Sequence, residues 1–278
     1  MDRRSFLGAA GVAAAITPGA ASQARRGRVK QSVSKWCYDK WWTLDQLCAN
    51  AAKLGLKAID LVGPADIPVL KKYGLTCSMM MPGGGTIPDG WNRRENHAAI
   101  ERELRERIPL CAAAGVPNII TFSGNRRGIS DDEGLENCVA GLNRIKGFAE
   151  EQGVTLCIEL LNSKVNHKDY QADSTAWAVE VAKRVGSPRV KLLYDIYHMQ
   201  IMEGDVIRTL RDNIQYIAHI HTGGNPGRHE IGPQQELNYR PIIEAAVEAG
   251  FTGYVAHEFV PAGDPFEALK QAVEICDV

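Results

Sequence analysis

Eight short β-type runs, each followed by a helix-type segment, constrain the fold of this chain more than any other feature. The runs are VKQSVSKW (29–36), KAIDLVG (57–63), LTCSMMM (75–81), NIITFSG (118–124), TLCIELLN (155–162), VKLLYDIYH (190–198), YIAHIHTG (216–223) and GYVAHEFV (253–260). Helix-type segments fall around 43–54, 65–73, 97–114, 131–152, 172–185, 204–212, 239–249 and 265–276. Several stop on a glycine just before the next run, as at Gly115, Gly153 and Gly186, where a helix commonly ends in a left-handed residue. Thr43 followed three residues on by Gln46 is a capping-box pattern for the first helix. Strict alternation of this kind predicts the α/β class and a single (β/α)8 TIM barrel. An open doubly wound sheet usually carries a glycine-rich phosphate turn after its first strand; here CYDKWW follows instead.

The chain has 278 residues, 45% hydrophobic and 23% charged, enough for one large core without a second domain. The barrel is expected over residues 28–278. Residues 1–27 are set apart as a leader and tail. MDRRSFLGAAGVAAAITPGAASQA has a basic start with Arg3 and Arg4 adjacent, then a short apolar run, then small residues. That is the pattern of a twin-arginine-type signal peptide, so export, to a periplasmic location, is expected. No other stretch reads as a membrane span. Seven scattered cysteines without a CxxC pair predict buried thiols and no disulfide framework. A net charge of −1 excludes a broadly basic face, so no nucleic-acid partner is expected. The expected partner is a small-molecule substrate; the choice between a single chain and a homo-oligomer is left open.

Polar residues at the ends of the last four strands carry the chemical signal. Glu159, Asp195, His221 and Glu258 each sit late in an otherwise apolar run, and in a closed barrel such ends converge on one face. A lone acid there often caps the next helix instead. Three carboxylates sharing one pocket repel each other unless a cation neutralises them. Two Glu, one Asp and one His therefore form a candidate divalent-metal set. The oxygen majority favours Mn²⁺ or Mg²⁺, and the imidazole keeps Co²⁺ and Zn²⁺ admissible. His219 shares a strand face with His221, so it either touches substrate or supports a ligand from behind. His198 and Arg228 are placed at the pocket mouth, Arg228 to grip a carboxylate or hydroxyls, with a loop salt bridge to Glu230 or Glu236 as its alternative. Trp36 is the candidate pocket wall. His257, on the opposite side of its strand from Glu258, is expected to be structural.

The stretches LLYDIYHMQIMEGD and NPGRHE, with ELNY beyond, resemble those of hydroxypyruvate isomerases within the xylose isomerase-like barrel superfamily. The resemblance covers about residues 30–265 and implies a metal-dependent isomerase. Its metal and acid–base carboxylates fall on Glu159, Asp195 and Glu258, and its strand-seven ligand on His221. Hydroxypyruvate isomerases commonly have a glutamine at that last position, whereas HIHTGG is similar to the ketose 3-epimerases of the tagatose and psicose group. Both imply proton removal beside a carbonyl, with Glu159 and Glu258 as the transfer pair. The expected reaction is hydroxypyruvate to tartronate semialdehyde. Ketose 3-epimerisation, or a secreted sugar-binding protein with a decayed site, are the alternatives.

Overall fold

A computed structural model describes residues 27–278. Its strands are β1 (Lys30–Ser34), β2 (Ala58–Val62), β3 (Thr76–Met80), β4 (Asn118–Thr121), β5 (Thr155–Glu159), β6 (Val190–Asp195), β7 (Ile217–Thr222) and β8 (Tyr254–His257). They pair in parallel in sequence order, and β1 also pairs with β8, so the barrel closes. The helices between them are α1 (Leu44–Lys53), α2 (Ile67–Lys72), α3 (Arg94–Ala114), α4 (Asp131–Asn143), α5 (Lys146–Gln152), α6 (Thr175–Val185), α7 (Ile196–Met202), α8 (Val206–Asn213), α9 (Tyr239–Glu248) and α10 (Pro265–Ile275). The leader expected at residues 1–27 lies, up to its last residue, outside the described residues. Among the described residues no helix is long and apolar enough to cross a membrane.

Local chemistry sets the element ends. The Thr43–Gln46 box caps α1 in both directions: Gln46 N–H donates to Thr43 Oγ1 at 3.3 Å, and Thr43 N–H donates to Gln46 Oε1 at 2.9 Å. Gly115 ends α3 at φ 72°, a conformation that a side chain resists. All seven cysteines are buried and free. They pack as small apolar groups between barrel and helices, as expected for scattered thiols. Trp91 is fully buried and donates through Nε1 to Thr121 Oγ1 at 2.7 Å, so it belongs to the core.

Two segments depart from the sequence expectation. The helix expected over 131–152 is two helices, interrupted at Arg144 and Ile145. The run at 190–198 stops being strand at Asp195, and α7 starts at once. Asp195 ends β6 and caps α7, its Oδ1 accepting from His198 N–H at 3.1 Å. The residues of α7, IYHMQIM, are apolar and aromatic enough to read as strand, so only the capping carboxylate marks the switch.

Register then fixes the catalytic face. Asp195 lies beside His221, and His221 beside Ala256. Glu258 follows the end of β8 and stays in line because its N–H donates to Thr222 O at 3.0 Å. Four adjacent strands thus deliver Glu159, Asp195, His221 and Glu258 to one end of the barrel.

Candidate active site

One donor atom from each of Glu159, Asp195, His221 and Glu258 lies within 4.8 Å of the other three, and all four residues are buried. His221 stands at the centre. Its Nδ1 is 2.5 Å from Glu258 Oε2, 3.4 Å from Glu159 Oε1 and 3.7 Å from Asp195 Oδ2. Despite that crowding, Nδ1 makes no aligned hydrogen bond. On the other side of the ring, Nε2 lies 2.8 Å from Asp60 Oδ2. Assigning the proton to Nε2 lets it donate to Asp60 and leaves the Nδ1 lone pair facing three carboxylates. A metal-ligating histidine is oriented in this way, with a carboxylate holding its second nitrogen. The donor set fits a divalent cation, and the cluster can hold one.

Asp60 is the functional residue that the strand-end criterion missed. It sits inside β2, fully buried, and reaches across the barrel to both histidines of β7. Its oxygens also accept from Ser78 Oγ at 2.5 Å and Ser34 Oγ at 3.4 Å. A signal for it was present: one carboxylate inside KAIDLVG, a run otherwise apolar between Ala58 and Val62. Burial pushes the Asp60 carboxyl up, but the His219 and His221 rings overcome that, and its pKa falls well below the usual carboxylate range.

Of the two readings of His219, the geometry is that of a side chain behind a ligand. It is fully buried one layer below His221, with Nε2 3.2 Å from Asp60 Oδ1, and it is absent from the pocket lining. Two residues along a strand is one full repeat on the same face, so the second histidine falls on the barrel floor rather than in the mouth. His257 is likewise buried and structural: its ring sits between Gln31 Oε1 at 2.9 Å and Thr222 Oγ1 at 3.1 Å. Burial pushes its pKa down to about 3.

Arg228, in the loop after β7, turns into the site rather than toward Glu230 or Glu236. Its Nη2 donates to Asp195 Oδ2 at 2.6 Å and to Glu258 Oε2, and Nη1 donates to His198 Nε2 at 2.7 Å. Its backbone is left-handed, at φ 56°, a conformation uncommon for a non-glycine residue and one that clusters at functional sites. Trp36 follows β1 and donates through Nε1 to Glu258 Oε1 at 2.6 Å. His198 in α7 is buried, and burial depresses its pKa well below the ordinary value against the pull of Asp195.

The carboxylates are not equivalent. Burial, reinforced by Glu258, pushes the Glu159 carboxyl up to about 7. Burial acts on Asp195 in the same sense, but the Arg228 guanidinium and His198 outweigh it and hold Asp195 well below the usual range. His221 is raised well above its ordinary value: burial opposes this, and Glu258 with its neighbouring carboxylates prevails. A carboxyl titrating near neutrality beside one held ionised, here Asp195, is the division of labour that proton-transfer sites use.

Trp36, Glu159, His198, Arg228 and Glu258 open onto a cavity of about 590 Å³. The loop after β3 contributes Thr86 and Ile87, and the loop after β5 contributes Asn166 and His167. His167 carried no sequence signal: it lies in a loop, and its ring centre is 5.2 Å from that of His198.

The sequence pattern of the xylose isomerase-like TIM-barrel family matches residues 48–277. The chain belongs to that family. Hydroxypyruvate isomerase of Escherichia coli is 27% identical over 226 residues, covering 76% of this chain and 86% of the relative. A 2-oxo-tetronate isomerase of Haemophilus influenzae is also 27% identical, over 79% of this chain and 88% of its own length. Among solved structures, D-psicose 3-epimerase of Clostridium cellulolyticum superposes with a TM-score of 0.73 at 18% identity, covering 90% of this chain and 100% of that one. That likeness is one of fold. With relatives of this kind, the chain is an isomerase-type enzyme of the barrel family.

Proposed function

We propose that this protein isomerises a small 2-oxo-3-hydroxy acid, hydroxypyruvate to tartronate semialdehyde being the first reaction to test. The observation that supports this most is the pair Glu159 and Glu258, carboxyls of two different strands meeting at His221 within the 4.8 Å cluster. The names of the curated relatives point the same way.

In this reaction a C–H bond breaks at the hydroxyl-bearing carbon and a new one forms at the former carbonyl carbon. The hydroxyl proton passes from one oxygen to the other. Glu159 accepts the carbon-bound proton as general base, from the strand facing Glu258 across the cluster. Glu258, tethered by Trp36 and Arg228, serves as the second proton-transfer group across the substrate. Arg228 offers a planar, multiply donating group to the substrate carboxylate, and His198 and Trp36 frame the neighbouring oxygens. A divalent cation on Glu159, Asp195, His221 and Glu258 would supply Lewis-acid polarisation of the carbonyl. The oxygen-rich set makes Mn²⁺ or Mg²⁺ the proposed ion, with Co²⁺ or Zn²⁺ as substitutes. Export through the twin-arginine-type leader is proposed on the sequence of residues 1–27 alone.

The test is conversion of hydroxypyruvate to tartronate semialdehyde by the Mn²⁺-loaded protein, with proton exchange followed in deuterated water. Activity confined to free ketoses would move the reading to 3-epimerisation, which the histidine at position 221 favours. Neither exchange nor conversion, with metal bound, would leave a binding protein.

A further inference from the structure

The half of the cavity facing away from the carboxylates is apolar. The ends of β5 to β8 supply the charged groups, whereas Leu61, Met81, Ile120, Phe122 and Leu161, from the ends of β2 to β5, with Ile87, supply the opposite wall. Two acceptor oxygens on that side are already engaged. Thr86 Oγ1 accepts from Asp89 N–H at 3.2 Å, and Asn166 Oδ1 accepts from Asn162 Nδ2 at 2.8 Å and from the Tyr197 hydroxyl at 3.0 Å. Apolar surface continues to the rim, where Trp36 and Met81 are 46% and 42% exposed.

Leu61 is held there at a cost. Its φ is 53°, a left-handed conformation that a bulky branched residue strongly disfavours. The β2–β3 register slips on both sides of Asp60. A regular strand would send consecutive residues to opposite faces. The irregularity instead lets Asp60 reach the histidines while Leu61 lines the cavity. Strain of this kind persists where surrounding structure enforces it and clusters at ligand sites.

Volume leads to the same conclusion. About 590 Å³ lies within the roughly 300–1,000 Å³ of sites that bury drug-sized ligands. A three-carbon acid engaging Arg228 and the carboxylates would leave the apolar half holding water. A polyhydroxylated tail would set hydroxyls against Leu61, Ile120 and Leu161, with the Asn166 amide nitrogen and the His167 ring the side chains there that can meet them, which is less favourable than an apolar group on the same wall.

We infer that the substrate is a 2-oxo-3-hydroxy acid, R–CHOH–CO–COO⁻, whose group R is apolar, an alkyl or aryl substituent seated against Leu61, Ile120, Phe122 and Leu161. This rests on the isomerase reading for the acid head and adds the identity of the tail.

The test compares R as benzyl with R as a dihydroxyalkyl chain, using the full-length protein loaded with Mn²⁺. Deuterium uptake at the hydroxyl-bearing carbon gives kcat/KM. Titration calorimetry with the corresponding carbonyl-free 2,3-dihydroxy acids gives affinity without chemistry. A buried methylene is worth roughly fourfold, so the benzyl compound should be favoured at least about tenfold in both readouts. Leu61→Asn, which suits the left-handed backbone, and Met81→Gln, at the exposed rim, should each lower that ratio severalfold. Exchange with equal or greater preference for the hydroxylated tail overturns the inference and leaves the isomerase reading standing. Tighter binding of the benzyl dihydroxy acid without exchange in any substrate supports the apolar seat and removes the isomerase reading. No preference in either readout overturns the inference.

Discussion

Asp60→Asn removes one carboxylate oxygen from beneath the site and puts an amide in its place. In the native protein three hydrogen bonds converge on Asp60, from His221 Nε2 at 2.8 Å, Ser78 Oγ at 2.5 Å and Ser34 Oγ at 3.4 Å, and His219 Nε2 lies 3.2 Å away without an aligned bond. An asparagine has one acceptor oxygen and a donating NH2. With its oxygen kept toward Ser78, the NH2 faces His221 Nε2 and that imidazole loses its acceptor; turned the other way, Ser78 loses its acceptor. If the NH2 faces His221 Nε2, the ring proton moves to Nδ1, where it points at the carboxylates and removes the lone pair meant for a metal. Partners that orient a ligating histidine typically carry 10–100-fold in metal affinity, or about 1.4–2.7 kcal/mol. Loss of the charged hydrogen bonds costs folding stability about 1–3 kcal/mol, partly offset because a buried charge disappears. Mn²⁺ titration calorimetry on native protein and variant, with circular dichroism to confirm folding, reads the effect directly. A folded variant binding Mn²⁺ within about twofold of native would refute the orienting role of Asp60.

Further outcomes follow from the same geometry. Glu258→Gln keeps the shape of the side chain but loses its charge, so the protein should fold while hydroxypyruvate turnover and deuterium exchange fall by roughly 10²–10⁴-fold; an unchanged rate would take Glu258 out of proton transfer. Glu159 is raised to about 7 and His221 well above its ordinary value, so both hold protons that a cation must displace. Mn²⁺ affinity should therefore rise as pH increases through about 7, with proton release visible as a buffer-dependent heat; a flat profile between about pH 6 and pH 8 would contradict it. His257 has the opposite shift, from an ordinary 6.5 to about 3. The unfolded chain binds this proton and the folded one resists it, so the stability tied to His257 is complete above 6.5 and declines as pH falls toward 3. That window is worth up to roughly 4–5 kcal/mol, and His257→Gln should flatten the acid limb of a denaturant-midpoint profile.

Much of this was legible in the residues. Short apolar runs and glycine stops located all eight strands, because burial and helix termination leave local marks. The cluster of four donors was legible because charged residues inside buried runs need a partner. What escaped notice needed contacts across the barrel. Asp60 looked like one polar residue in a strand until the closed topology brought it under His221. The α7 helix was hidden by an apolar composition common to strand and helix, and only the Asp195 cap separates them. His219 shares its periodicity with His221, and alternation alone does not say how deep along the barrel each side chain falls. His167 and Asn166 sit in a loop, where no periodicity operates.

The central claim is that Glu159, Asp195, His221 and Glu258 together hold one divalent cation at the mouth of the barrel. Electron paramagnetic resonance of Mn²⁺ tests it most directly, since the six-line signal of the free ion disappears on binding. Titration of the metal-stripped protein should consume one Mn²⁺ per chain, and Glu159→Gln or Asp195→Asn should leave the free signal undiminished. Full free signal with the native protein, or uptake that persists in both variants, would contradict it.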